Sequence, residues 1–161
     1  MFLTGMHELQ IDPKNRLSIP STIRAKIQGD AEGRTTFYVT PGDIPRTLKL
    51  FEEGRFEEFA QACEGDLVQS AAKEDFQRIF YALSTPVETD VQGRVVLPQV
   101  LLDHARIDKQ VTLSGSGDHL VVWEREAYKR YMEDNGYSFK PKLEEARRIT
   151  LERKRMGVLA E

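Results

Sequence analysis

The sequence has few of the residues that build covalent or metal frameworks. Cys63 is the only cysteine, so a disulfide framework and a cysteine-based zinc site are both excluded, and a reducing cytoplasm is the expected compartment. The histidines number three and are scattered without metal-ligand spacing. No apolar run approaches the roughly 18 residues of a membrane span, and the first residues lack the pattern of a signal peptide. No nucleotide, metal or flavin motif predicts a cofactor.

The chain also lacks an excess of positive charge. Its net charge is −3, which argues mildly against a nucleic-acid partner. The acidic residues are concentrated, however, in the segments predicted to be helical: residues 47–85 hold four basic and eight acidic groups, whereas residues 140–161 hold seven and four. A single protomer would therefore bind DNA weakly. If DNA is the partner, we expect several protomers to act together.

A nine-residue pattern is present twice. Residues 12–20 (DPKNRLSIP) return as residues 90–98 (DVQGRVVLP), with Asp, Arg, an aliphatic pair and Pro in register at an offset of 78. Each copy is followed by a helix-like segment and two hydrophobic strands, and chance would not repeat this context along with the motif. The repetition predicts two copies of one structural unit.

Each motif predicts a tight β-hairpin. Apolar and polar residues alternate in residues 9–11 before the first Asp and in residues 17–19 after its Arg, as in half-buried strands. Residues 87–89 and 95–97 stand at the same positions in the second copy. Asn15 and Gly93 occupy the same position, and both residue types readily adopt positive φ, so the same left-handed turn is expected in both copies. Asp12 would orient Arg16, and Asp90 would orient Arg94, so that each hairpin presents one arginine at its tip.

The rest of the chain follows the same order of elements twice. After Pro20, Ser21 is predicted to cap a short helix over residues 22–27, and two strands and two amphipathic helices follow. Ser84-Thr85-Pro86 separates the copies. The predicted organisation is a first unit with helices over residues 1–83, a second unit with a helix over 84–139, and a basic tail over 140–161. The tail is either a frayed helix or an ordered extension.

These motifs resemble those of the MraZ family, bacterial regulators of the division and cell wall gene cluster. The resemblance rests on the two Asp-x-x-x-Arg hairpins, on Pro20 and Pro98, and on residues 1–5, and it covers nearly the whole chain. It implies an α+β fold in which tandem AbrB-like β-β-α-β-β units form a pseudo-symmetric swapped-hairpin barrel with peripheral helices. It also implies a homo-oligomer, typically an octameric ring, that is cytoplasmic and nucleoid-associated and binds double-stranded DNA at promoter direct repeats.

The expected DNA contacts follow from the chemistry of the motif. A guanidinium can satisfy O6 and N7 of guanine together, so Arg16 and Arg94 would enter the major groove on a two-stranded ribbon. Lys14 would contact phosphate. Asn15 stands where the family has glycine, a conformationally mild change. Gln92 stands at the position of Lys14, so the second tip is expected to be less basic than the first.

Other interpretations remain open. A single Asp–Arg pair across a turn is commonly only a surface salt bridge. The chain could be an AbrB-like protein-interaction module of the antitoxin type, with a partner bound through the tail or the helices. A hydrolase with Asp12 and Asp90 as a carboxylate dyad is less favoured, because the neighbouring arginines would keep both groups ionised. The apolar stripe containing Phe76, Ile79 and Phe80 could be core or a subunit contact.

Overall fold

The computed structural model describes residues 2–157 of the chain, which fold as α+β with the two copies built from the same succession of elements. Met1, in the segment that carries the family resemblance, and the end of the basic tail lie outside the described residues. The strands are β1 Met6–Gln10, β2 Arg16–Ser18, β3 Thr36–Pro41, β4 Thr47–Glu52, β5 Thr85–Glu88, β6 Arg94–Val96, β7 Gln110–Gly115 and β8 Leu120–Glu124. The helices are α1 Ser21–Arg24, α2 Glu53–Glu64, α3 Ala71–Leu83, α4 Gln99–Ala105, α5 Arg125–Asp134 and α6 Lys140–Arg155.

Two antiparallel sheets contain strands from both copies. The larger sheet has six strands in the order β1-β7-β8-β4-β3-β5, and the smaller sheet pairs β2 with β6. Strands β1 to β4 of the first copy correspond in order to β5 to β8 of the second. When each strand is replaced by its counterpart, the order of the large sheet is reversed and every pair of neighbouring strands is kept. The duplication seen in the sequence is therefore also a symmetry of the strand pairing.

The hairpin prediction was wrong about which strands pair. The turn at residues 12–16 is tight, but β1 before it pairs with β7 and β2 after it pairs with β6. In the second copy, β5 pairs with β3, and β6 pairs with β2. Alternation of apolar and polar residues defines the buried face of a strand but not its partner, so the sequence pattern could not distinguish a local hairpin from pairing across the copies.

One apolar core lies beneath both sheets. Leu17 of β2 and Val95 of β6 are fully buried and belong to the same cluster as Phe37, Leu50 and Val122 of the large sheet. The side chains that point from the small sheet in the other direction are partly or fully exposed. The small sheet is thus anchored on one face by the core and presents its other face outward.

The first short helix begins one residue earlier than predicted. Ser21 is the first helical residue of α1 and not its cap. Pro20 precedes it, and the helix ends at Arg24 rather than at residue 27. Proline has no side-chain acceptor for a cap, and the carbonyl of Pro20 accepts hydrogen bonds from the amides of Ile23 and Arg24 instead. Pro98 stands in the same place before α4.

The aromatic residues of α2 and α3 pack on one another. Phe56 stacks on Tyr38, and Phe80 contacts both Phe56 and Phe76. Ile79, on the same predicted stripe, keeps 61% of its surface exposed. The stripe is therefore only partly used for packing within the chain.

The chain separates into two compact units, one up to Tyr128 and one from Lys129 onwards. The first unit contains both sheets. In the second, α6 has no buried side chain, and its last turn carries Arg153, Lys154 and Arg155. No helix among residues 2–157 is both long enough and apolar enough to cross a membrane.

Candidate nucleic-acid interface

The candidate interface is the outer face of the small sheet. We call this sheet, formed by β2 and β6, the ladder. Its register pairs Arg16 with Val96 and Ser18 with Arg94. These side chains point to the same face, because the central pair, Leu17 and Val95, points into the core. Arg16 and Arg94 thus lie on one surface, two positions apart along the strands, or roughly 8 Å between Cα atoms from standard strand geometry.

The first turn, residues 12–16, holds its arginine through the carboxylate of Asp12. One carboxylate oxygen accepts hydrogen bonds from the amides of Lys14 (2.9 Å) and Arg16 (2.8 Å), and the other accepts from Nε of Arg16 at 2.5 Å. The main chain closes the turn with a bond from the Asn15 amide to the Asp12 carbonyl. Asn15 has φ +62°, the left-handed conformation that asparagine tolerates.

The second turn, residues 90–94, repeats these contacts. Asp90 accepts from the amides of Gln92 and Arg94, each at 2.9 Å, and from Nε of Arg94 at 2.8 Å. Gly93 has φ +78°. Two sequences that share only Asp and Arg therefore form the same turn, because the Asp carboxylate supplies the acceptors and the fourth residue supplies the positive φ.

Both carboxylates are held in the ionised form. At Asp12, desolvation opposes ionisation, but hydrogen bonds from the amide and guanidinium of Arg16 outweigh it and lower the pKa of the carboxyl. At Asp90, the bond from the Arg94 amide is the largest influence, and the pKa is again lowered. A carboxylate dyad that shares a proton requires one raised pKa. The two turns therefore lack the chemistry that the hydrolase interpretation needs.

The arrangement leaves part of each guanidinium available to a ligand. The side chains of Arg16 and Arg94 are 29% and 27% exposed, and Asp occupies only Nε. Within residues 2–157 the Nη groups of both arginines have no hydrogen-bond partner. Lys14 is exposed beside them and forms no ion pair with any described carboxylate. Each arginine is thus oriented through one nitrogen and open through the other two.

A third turn of the same kind occurs at residues 30–34, outside the two repeated motifs. Asp30 accepts from the amides of Glu32 and Arg34 and from Nε of Arg34, and Gly33 has φ +77°. Here the Nη groups are occupied: they pair with Glu32 at 3.4 Å and with Glu88 at 3.1 Å. The motif Asp-x-x-Gly-Arg could have been found in the sequence, but it lies outside the 78-residue repeat. The strand that follows it, β3, begins two residues after Arg34 rather than at the arginine itself.

Each copy also anchors the other copy's turn. The amide of Leu97 donates to the carbonyl of Asn15 (2.8 Å), and the amide of Ile19 donates to the carbonyl of Gly93 (3.0 Å). The side chain of Asn15 donates to Gln99 of α4 at 2.9 Å. The two turns are thereby fixed to one frame, which sets the spacing of their arginines.

Comparison with known proteins gives one consistent result. A family model described as "MraZ protein, putative antitoxin-like" matches residues 80–150. A protein of Tropheryma whipplei is 30% identical over 145 residues, covering 90% of this chain and 96% of its own length. Proteins of Mycoplasmoides gallisepticum (31% identical; 84% and 89% covered) and Cupriavidus pinatubonensis (37%; 77% and 83%) are also similar. All three carry the name "Transcriptional regulator MraZ".

Proposed function

The chain belongs to the MraZ family, and we propose that it is a transcriptional regulator that binds double-stranded DNA through the outer face of the ladder. The relatives are named as regulators and not as enzymes, and we assign no catalytic activity to this chain. The regulator would act in the cytoplasm on the nucleoid, repressing or activating transcription by occupying sites near a promoter.

One observation carries this proposal: two guanidiniums stand on a single exposed face, each fixed through Nε and open through its Nη groups. A guanidinium held in this way can donate two bonds to O6 and N7 of one guanine. The major groove is about 12 Å wide and admits a two-stranded β-ribbon. Arg16 and Arg94 are separated by a distance that spans about two or three base-pair steps, so one ladder would read only a short sequence.

Orientation by Asp12 and Asp90 contributes to affinity. A free arginine loses rotamer freedom when it is fixed on a base, at a cost of roughly 0.5–1.5 kcal/mol. The Nε bonds place the side chain before DNA arrives and reduce this cost. Asn15 and Gly93 supply the turn that allows the Asp to reach its Arg. Lys14, exposed at the first turn, would contact phosphate.

Short sites require repetition. A protomer with net charge −3 and one short reading surface would bind DNA weakly and with little specificity. We propose that several protomers, arranged as an octameric ring, bind direct repeats upstream of the division and cell wall gene cluster. Each ladder would occupy one repeat, and the effective concentration of the neighbouring ladders would supply the affinity.

The test is a gel-shift titration on DNA from upstream of the chain's own gene, compared with DNA of equal length in which the repeats are scrambled. Specific sites are typically bound about a thousandfold or more tightly than non-specific DNA. We expect retardation of the repeat-bearing DNA at far lower protein concentration, with an affinity that falls steeply as salt rises. Equal retardation of both DNAs, or none, would remove the proposal.

The description of the matching family model as antitoxin-like favours a second candidate, a protein-interaction module. Its partner would bind through the helices or through the basic tail, residues 140–161. Deletion of the tail tests the second of these modes: a module that binds through the tail would lose its protein partner, whereas a regulator that binds through the ladder would keep its affinity for the repeats.

A further inference from the structure

The second turn lacks a lysine, yet a cation lies against it. Gln92 occupies the position that Lys14 has in the first turn, and the sequence alone therefore predicts a less basic tip. In the fold, Arg24 of α1, from the other copy, lies over this turn. A Cβ atom at Gly93 would overlap Nε, Cδ and Cζ of Arg24. The backbone of Gly93 is buried, whereas Asn15 in the first turn is only half-buried.

Arg24 is held in place from the ladder side. Its Nε donates to the carbonyl of Ile19 at 3.0 Å. The amide of Ile19 in turn donates to the carbonyl of Gly93, so the same residue fixes both the turn and the arginine that covers it. Among residues 2–157, no carboxylate pairs with Arg24. It therefore resembles Arg16 and Arg94, anchored through Nε with its Nη groups open, and differs from Arg34, whose Nη groups are neutralised by Glu32 and Glu88.

The first turn shows the opposite distribution of charge. The third residue of the first turn is the cation Lys14. The helix that contacts this turn, α4, contributes the neutral side chain of Gln99. In the second turn the loop contributes the neutral Gln92 and the helix contributes the cation. At each tip the arginine of the motif is thus accompanied by a further cation, which comes from a different element in each copy. In the first turn Lys109 also donates to the Asp12 carbonyl, at 3.4 Å.

We propose that Arg24 is the phosphate-binding residue of the second turn and completes the DNA interface at the position where Gln92 leaves it without a cation. The inference rests on the proposed function. A guanidinium pairs with phosphate as readily as the ammonium of Lys14 does. Both tips then contact the DNA backbone, and the two arginines of the ladder are positioned symmetrically in the groove.

The salt dependence of binding tests this inference, because each phosphate contact releases about 0.9 of a counterion on B-DNA. For Arg24→Gln we expect the slope of log K against log salt to become less negative by about 0.9 for each bound protomer, with assembly and thermal melting unchanged. Adding Gln92→Lys to this variant returns a cation to the tip and should restore the slope. The matched control is Arg34→Gln, which removes an arginine already neutralised by carboxylates and should leave the slope unaltered.

An unchanged slope in Arg24→Gln would overturn the inference. A reduced slope that Gln92→Lys fails to restore would also overturn it, because Arg24 would then only pack on the turn and not bind phosphate. The double variant Arg16→Ala/Arg94→Ala, measured alongside, separates failure of this inference from failure of the proposed function. If it loses specific binding while Arg24→Gln behaves as the unmodified chain, only the inference fails. If it binds normally, the proposed function fails as well.

Discussion

At the scale of single residues, the proposed interface depends on the pairing of one carboxylate with one arginine. Asp12 and Asp90 each accept three hydrogen bonds within their own turns, and one of the three comes from the arginine side chain. The same pairing at Asp30 and Arg34 gives the same turn without an open guanidinium. The motif therefore specifies a conformation, and the neighbouring residues decide whether the arginine is available to DNA.

The double variant Asp12→Asn/Asp90→Asn tests the orienting role. An amide keeps an acceptor for the turn amides but loses the charge that holds Nε, so the arginines become less restricted. We expect specific DNA affinity to fall at neutral pH by about two- to tenfold for each of the two arginines, from the cost of ordering its side chain. Fluorescence anisotropy against repeat-bearing DNA measures the change, and an affinity equal to that of the unmodified chain would contradict the orienting role.

The pH dependence of stability follows from the same groups. Their carboxyl pKa values are lowered in the folded chain, so the stability they contribute is present above about pH 4, the ordinary Asp range, and is lost as pH falls through the lower folded pKa. We expect Asp12→Asn/Asp90→Asn to melt at a lower temperature than the unmodified chain at pH 7. The difference should shrink as the pH falls below about 4, and a difference that grew on acidification would contradict this assignment.

At the scale of elements, the ladder is a short sheet whose stability comes from its buried face. Leu17 and Val95 are fully buried at its centre, and only three residue pairs hold the strands together. Leu17→Ala removes three carbons from a packed core and should lower the free energy of unfolding by about 2–5 kcal/mol. Urea denaturation followed by circular dichroism measures this.

The matched control is Val96→Ala, on the outer face of the same ladder, where the side chain is 54% exposed. We expect a change within about 1 kcal/mol, in line with other exposed positions. Equal losses in the two variants would show that the ladder is not anchored on the core in the way its register indicates.

The sequence predicted these elements better than their pairing. Apolar alternation and the repeated turn located β2 and β6 to within a residue, because both signals are local. These two strands pair with each other through residues about 78 positions apart. A periodic pattern within one strand carries no information about such a distant partner. Arg24 was missed for the same reason: its role depends on Gly93, which approaches it only in the fold. The turn at Asp30 was visible in the sequence but fell outside the repeat that drew attention to the other two.

At the scale of the whole molecule, DNA binding has to overcome an unfavourable overall charge. The chain carries a net charge of −3, and acidic residues exceed basic ones in the region of α2 and α3. The cations of the proposed interface are few and local: Arg16 and Arg94 on the ladder and Lys14 in the first turn, with Arg24 proposed to join them. Such a surface gains useful affinity only when several copies bind together, and for this reason we propose that a homo-oligomer binds repeated sites.

The most direct test of the central claim compares Arg16→Ala/Arg94→Ala with Arg34→Ala on repeat-bearing DNA, at matched oligomeric state and melting temperature. Loss of a bidentate contact to guanine costs roughly 1–3 kcal/mol, so removing two from every protomer should abolish specific retardation. Arg34→Ala, whose guanidinium is already paired with carboxylates, should bind as the unmodified chain does. Specific binding that persists in the double variant, or that is lost equally in both variants, would contradict the account.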